Sequence, residues 1–273
     1  MEFNLNEKNQ YLEKFKFESL KDIEENIFMA VVGARKSGKG YFTHEAIYYM
    51  NKGKKFKHAY LFSSTAFIQT PLPFPFIPME NRFTTLDPLK KLIEIRMETK
   101  SKDNVLIVID DIANMTENGK KFKNSDSVLL LANAGRHISF SCICILHRDT
   151  QLPPIVRNSC SLVVNFLPKT LSDLKSIKER YLSMCKSKEE CDMVYKQVFS
   201  EKYQALVCEQ YKTSIHIKDY CKVVIAPSKL RKYKLTKLIQ NTNENRNKNK
   251  NEDKKKSKYR IYEKIYLQEL GHN

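Results

Sequence analysis

The sequence predicts an α/β fold, a mainly parallel sheet with helices on both faces. Three observations carry this. From residue 27 onward short apolar runs alternate with segments of helical periodicity, the order of elements that produces parallel strands joined by crossover helices. The first run, Ile27-Phe28-Met29-Ala30-Val31-Val32, opens into Gly33-Ala34-Arg35-Lys36-Ser37-Gly38-Lys39 and then a helical segment. A later run, Asn104-Val105-Leu106-Ile107-Val108-Ile109, ends in two adjacent acids, Asp110 and Asp111.

In chain order, residues 1–26 read as a lead-in with a helix near 18–25. Strands are predicted at 27–33, 58–63, 104–110, 139–146 and 161–166, each an apolar run of strand length between polar or glycine boundaries. Helices are predicted at 39–51, 87–99 and 125–135. Between them, Pro71-Leu72-Pro73-Phe74-Pro75-Phe76-Ile77-Pro78 excludes regular helix and central strand, because proline lacks the N–H both require. A packed loop is expected there. After Pro168, helices are predicted over 170–184 and 187–199, then strands over 203–209 and 222–226 that pair antiparallel at an edge. Residues 241–258 are almost wholly Asn, Lys, Glu, Asp, Arg and Ser, too polar to bury a core. The domain plan is therefore a lead-in at 1–26, a main domain at 27–230, a basic Asn/Lys-rich linker at 231–258 and a C-terminal amphipathic helix at 259–273. In that helix Ile261, Tyr262, Ile265, Tyr266 and Leu270 recur at helical spacing.

Composition narrows the setting. An apolar content of 41% supports a substantial core, and no apolar run approaches the roughly 18 residues needed to cross a bilayer. The polar, acidic start does not read as a signal peptide. Seven cysteines with no C-x-x-C pair, two of them in an apolar strand, read as buried reduced thiols in a reducing compartment. The net charge of +17 favours an anionic partner, either nucleic acid or an acidic membrane surface.

Strand, G-x-x-x-x-G-K and helix together make a phosphate-binding loop. Three of only seven glycines fall here: Gly33, Gly38 and Gly40. They let the backbone of Gly33, Ala34, Arg35, Lys36, Ser37, Gly38, Lys39 and Gly40 curl so that its N–H groups converge on an anion. The helix N-terminus adds partial positive charge, and Lys39 reaches the outer phosphates. A buried strand ending in an acid places a carboxylate beside magnesium, which assigns Asp110 to the metal. The second acid, Asp111, is suited to polarising an attacking water, as in hydrolases whose sheet carries an additional strand. The run from Gly135-Arg136-His137 through Ser139-Phe140-Ser141-Cys142-Ile143-Cys144-Ile145-Leu146 to His147 reads as a helix end, a central strand and a polar residue at its C-terminal edge. That edge lies over the nucleotide in an open parallel sheet, so His147 stands where a γ-phosphate sensor would.

These blocks, with Leu152-Pro153-Pro154-Ile155-Val156-Arg157-Asn158 downstream, resemble the virion DNA-packaging ATPases of poxviruses and related large DNA viruses, virophages and polinton-like elements, within the FtsK–HerA group of ring-forming motors. The resemblance covers about 27–226. It implies a RecA-like P-loop NTPase using ATP and Mg2+, a homo-oligomeric ring, double-stranded DNA as partner and a capsid or portal protein as docking site. It places the protein at a viral assembly site in the host cytoplasm or in the virion, and implies no membrane. It also implies an arginine supplied between subunits. Arg136, Arg148 and Arg157 are candidates, with Arg136 favoured because it falls in the Gly-Arg-His block. Two positions depart from the family pattern. Gly40 stands where Ser or Thr supplies a hydroxyl to the metal, leaving Asp110, water, or a shifted Ser37 or Thr43, and His147 stands where Gln is usual. Basic loops, including 114–123, are expected to hold the DNA backbone. Two rival readings remain open: a small-molecule kinase using the same loop, and a non-catalytic DNA-binding or assembly protein whose nucleotide site has decayed.

Overall fold

In the computed structural model, residues 11–69, 71–214 and 216–231 are described. The strands are β1 Phe28–Val32, β2 His58–Ser63, β3 Arg82–Phe83, β4 Val105–Asp110, β5 Thr116–Glu117, β6 Lys120–Lys121, β7 Phe140–Leu146, β8 Leu162–Phe166, β9 Gln204–Glu209 and β10 Cys221–Ile225. The helices are α1 Lys39–Lys54, α2 Asp87–Thr99, α3 Asp126–Ala134, α4 Pro154–Asn158, α5 Leu171–Tyr181, α6 Lys188–Val198 and α7 Ile217–Tyr220. Eight strands form one sheet in the order β10-β9-β8-β1-β7-β4-β2-β3, and β5 and β6 form a separate hairpin. Every pairing from β8 to β3 is parallel, while β9 runs antiparallel to both β8 and β10. This is the predicted mainly parallel α/β sheet with its antiparallel edge.

Every residue of β1, β7 and β8 is buried, which explains why these strands read as unbroken apolar runs rather than alternating ones. Side chains still alternate between two cores. Phe28, Ala30 and Val32 of β1 join Ile109, Cys144 and Val163 on one face with α5 and α6. Met29 and Val31 join Val108, Val164, Phe166 and the α1 residues Phe42, Ala46 and Ile47 on the other.

The structure departs from expectation in four places. The predicted helix near 18–25 is a short 3-10 turn, Phe17–Lys21, packed on α1 so closely that a Cβ on Gly53 would stand 2.0 Å from the Lys21 carbonyl. The residues before it line the sheet edge: Phe15 N–H donates to the Val223 carbonyl at 2.7 Å, and Val223 N–H to the Glu13 carbonyl at 2.9 Å. The two-residue β3 and the five-residue α4 are too short to show a period. Segment 114–123 contains the β5–β6 hairpin, anchored by buried Met115, Glu117 and Phe122. The proposed helix at 259–273 and the linker lie outside the described residues, apart from Arg231. No described helix is long and apolar enough to cross a membrane.

Candidate functional site

The loop joins β1 to α1 at the C-terminal end of the sheet. Gly38 has φ +105, a left-handed conformation that L side chains resist, and a Cβ there would lie 2.9 Å from the Ala226 Cβ. A Cβ on Gly33 would lie 2.7 Å from the Phe166 Cβ, so this glycine allows the loop to lie against β8. Lys39 opens α1 and is nearly buried; its Nζ donates to the Ala34 carbonyl at 2.9 Å and to the Gly33 carbonyl. Burial lowers its pKa to about 8, against the pull of Asp110. The ammonium is thus parked on the loop's own carbonyls, a short swing from an anion above them.

Gly40 differs from the other two. A Cβ at Gly40 would meet nothing within 4 Å, so the space a hydroxymethyl group needs is open. Of the substitutes, Ser37 keeps its hydroxyl at the loop, buried and without a hydrogen-bond partner among the described residues. Thr43 lies one helical turn on and is fully buried, its hydroxyl likewise without a hydrogen-bond partner among the described residues.

Asp110 ends β4 and pairs in register with Ser63 of β2. It follows Ile109 of the α5 face, so strand alternation turns it to the α1 face, where Lys39 is. Burial raises its carboxyl to about 6; the Asp111 N–H, donating to Asp110 Oδ1 at 2.9 Å, opposes the rise. Asp111 adopts φ +49 and receives the Ser64 hydroxyl at its carbonyl (3.0 Å) and at Oδ2 (3.2 Å). Ser64 was not singled out from the sequence, although Ser63-Ser64-Thr65 directly follows the apolar β2 run.

β7 lies between β1 and β4, the additional strand expected from the paired acids. It delivers His147 to the same edge. Burial lowers the His147 pKa, Lys39 lowers it further, and Asp111 with a hydrogen bond to the Gly33 backbone opposes them. Gln151, a second residue not singled out, accepts the backbone N–H of His147 (2.7 Å) and of Arg148 (3.0 Å), fixing the turn that presents the histidine.

The three arginines separate. Arg136 lies in the 3-10 turn Gly135–Ile138 before β7, at the opposite end of the sheet, 4.0 Å from Glu25; it is not brought to its own chain's loop. Arg148 is on the loop's edge, exposed, 3.8 Å from Asp173. Arg157 is mostly buried, and with Arg180 and the Ser176 hydroxyl it surrounds the Asp149 carboxylate.

A crevice of about 320 Å3 adjoins the loop on the face away from α1, lined by Gly33, Arg35, His147, Asn165 and Thr170 among others. Asn165 is 1% exposed, and both polar atoms of its amide lack partners among the described residues. The crevice lies beside the phosphate loop rather than over Asp110, since Asn165 follows Val164 of the α1 face and so points to the other. Among the described residues no cluster of His, Cys, Asp and Glu could by itself hold a metal. A metal here would rely on Asp110 together with phosphate oxygens.

Comparison with solved structures identifies the same architecture. The genome packaging NTPase B204 from Sulfolobus turreted icosahedral virus 2, in complex with AMPPCP, superposes with a TM-score of 0.51 at 16% identity, covering 72% of this chain and 96% of that one. The same protein in complex with sulfate gives 0.52 at 18% identity over 72% and 95%. At these identities the likeness shows the fold. No curated protein matches the sequence. The sequence profile of the family described as Poxvirus A32 protein matches residues 80–225, more than half of the chain and the stretch that carries Asp110, Asp111, Arg136 and His147. The phosphate loop lies upstream of that match and stands on its own residues and geometry. The chain belongs to the poxvirus A32 protein family.

Proposed function

We propose that the chain is an ATP-hydrolysing motor that translocates double-stranded DNA and packages a viral genome into its capsid. The observation that carries this is the convergence of Lys39, Asp110, Asp111 and His147 at one edge of three neighbouring strands, with β7 inserted between the loop strand and the acid strand. Membership of the A32 family and a fold shared with a genome packaging NTPase support it.

The residues present fit a magnesium nucleotide. The loop amides and the start of α1 bind the phosphates, and Lys39 exchanges its carbonyl partners for phosphate oxygens. Asp110, a half-buried carboxyl with Lys39 nearby, would hold the metal. When bound, magnesium and ATP together supply the charge neutralisation and the phosphoryl group. Asp111, oriented by Ser64, positions the attacking water and accepts its proton. His147, whose pKa is lowered by partial burial and by Lys39, hydrogen-bonds the outer phosphate and reports its loss along the turn to Asp149 and α5. Arg136 cannot serve its own loop, which is what an arginine acting on a neighbour's site in a ring requires.

The β5–β6 hairpin follows Asp111 within a few residues and exposes Lys120 and Lys121, so DNA held there would be linked to the hydrolytic acid. A capsid or portal protein would anchor the ring at the assembly site in the host cytoplasm or in the virion. A second reading, a non-catalytic assembly protein with a decayed site, is favoured by one observation, the missing hydroxyl at Gly40.

Turnover of ATP by the full chain, with and without double-stranded DNA, tests the proposal. DNA should raise turnover, Lys39→Ala should abolish it, and the stimulation should fall steeply with salt because phosphate contacts release counterions. Retained DNA binding with no turnover would favour the non-catalytic reading.

A further inference from the structure

We propose that Tyr203 is the platform on which the base of the bound nucleotide stacks. The inference rests on nucleotide binding at the phosphate loop and adds the subsite for the other end of the ligand. Tyr203 directly precedes β9 and has φ +67, a region that bulky residues almost never occupy. Such a conformation persists only where the surroundings impose it, and it concentrates where ligands are clamped. Here the surroundings do impose it. The Ala226 N–H donates to the Tyr203 carbonyl at 3.0 Å, and the Gln204 side chain gathers Ser200 Oγ at 3.1 Å and Glu201 N–H at 3.3 Å into the same turn.

The consequence is a tyrosine that is 53% exposed with its ring set beside Gly38 of the loop. Its Cδ1 lies 3.4 Å from where a Cβ on Gly38 would stand, in company with Ala226 and Phe166 of the α1 face. Gly38 immediately precedes Lys39, so the ring stands at the mouth of the phosphate loop. The sheet order gives the direction. Asp110 and β4 lie on one side of β1, with β7 between, whereas β8 and β9 lie on the other. A nucleotide whose outer phosphates face Lys39 and Asp110 therefore extends its sugar and base over β8 and β9, where Tyr203 waits. A flat aromatic face accepts any base, because every base has a π-face, so this platform supplies affinity without choosing between purines.

The test is titration of the full-length protein with ATP and with inorganic tripolyphosphate, which has the phosphates and no base. Tyr203→Gly, which also relieves the backbone conformation, should weaken ATP about tenfold and leave tripolyphosphate unchanged, while Tyr203→Phe retains ATP affinity. The chain has no tryptophan, so Tyr203→Trp provides the sole indole, and its fluorescence should change with ATP and not with tripolyphosphate. Equal affinity for ATP in wild type and Tyr203→Gly overturns the platform while leaving the loop intact. Equal weakening of ATP and tripolyphosphate also overturns it, assigning the ring to shaping the loop. A wild-type protein that binds neither ligand removes the ATPase reading and the platform together.

Discussion

Burial raises the Asp110 carboxyl from 3.8 to about 6, with the Asp111 charge adding to the rise and the Asp111 N–H and Lys39 opposing it. A folded-state pKa above the unfolded value means that the native state holds the proton more tightly. The stability cost of the charge is absent below about 3.8, grows as pH rises to about 6 and is complete above that. Asp110→Asn should therefore stabilise the ligand-free protein by about 3 kcal/mol at pH 7 and by nothing at pH 3.5, while losing magnesium-dependent turnover. Denaturant melts at the two pH values measure this; an equal effect at both would contradict the assignment. Asn165 is a second polar group held at a cost, since both amide atoms are unpartnered. Asn165→Leu, close in volume, should raise stability by about 1 kcal/mol in thermal melts, and a loss would mean that the amide is satisfied in solution. The positions of Lys39, Asp110 and Asp111 at one edge of the sheet were legible from spacing alone, because each belongs to a short local pattern. Ser64, Gln151 and Asn165 were not. Their importance comes from contacts across 47 residues of chain, across a turn, or from a missing partner, and none of these leaves a local signature.

At the scale of elements, the apolar runs announced β1, β2, β4, β7 and β8 because burial on both faces demands such runs. The proline-rich segment 71–78 was legible only as not helix and not strand. Its shape is made from outside by Arg82, which is 2% exposed and donates to the carbonyls of Pro73 (2.9 Å), Phe74 (2.8 Å) and Ile77 (3.0 and 3.2 Å). Prolines cannot bond their loop into regular structure, so a guanidinium with five donors gathers the carbonyls instead. The loop then clasps α1, with His44 stacked 5.5 Å from the Phe74 ring and edge-on 5.0 Å from Phe76. Arg82→Met should cost about 3 kcal/mol in urea unfolding, because it strands several buried acceptors, and Arg82→Lys should not rescue it, since one ammonium cannot span the fork. Rescue by lysine would show that charge, rather than the fork, holds the loop.

For the whole molecule, the strand order carries the functional meaning. Placing β7 between β1 and β4 spaces Lys39 from Asp110 and leaves His147 between them, which the paired acids had led us to expect. The same order sends β8 and β9 to the far side, where Tyr203 stands at the proposed base end of the site. The parallel direction of β1 and β7 puts Arg136 at the end of the sheet opposite its own loop, so the arginine proposed for catalysis would have to act on a second copy. The sequence could place Arg136 before a strand, but which end of the sheet that is depends on strand direction, which only the assembled sheet shows.

The central claim is that this site hydrolyses ATP although Gly40 offers the metal no hydroxyl. Its most direct test is magnesium-dependent ATP hydrolysis by the purified chain beside Asp111→Asn and Gly40→Ser. The open space at Gly40 accommodates a serine without displacing a neighbour. The account predicts turnover in the wild type, its loss in Asp111→Asn and a higher rate in Gly40→Ser. Undiminished turnover in Asp111→Asn, or silence in both the wild type and Gly40→Ser, would contradict it.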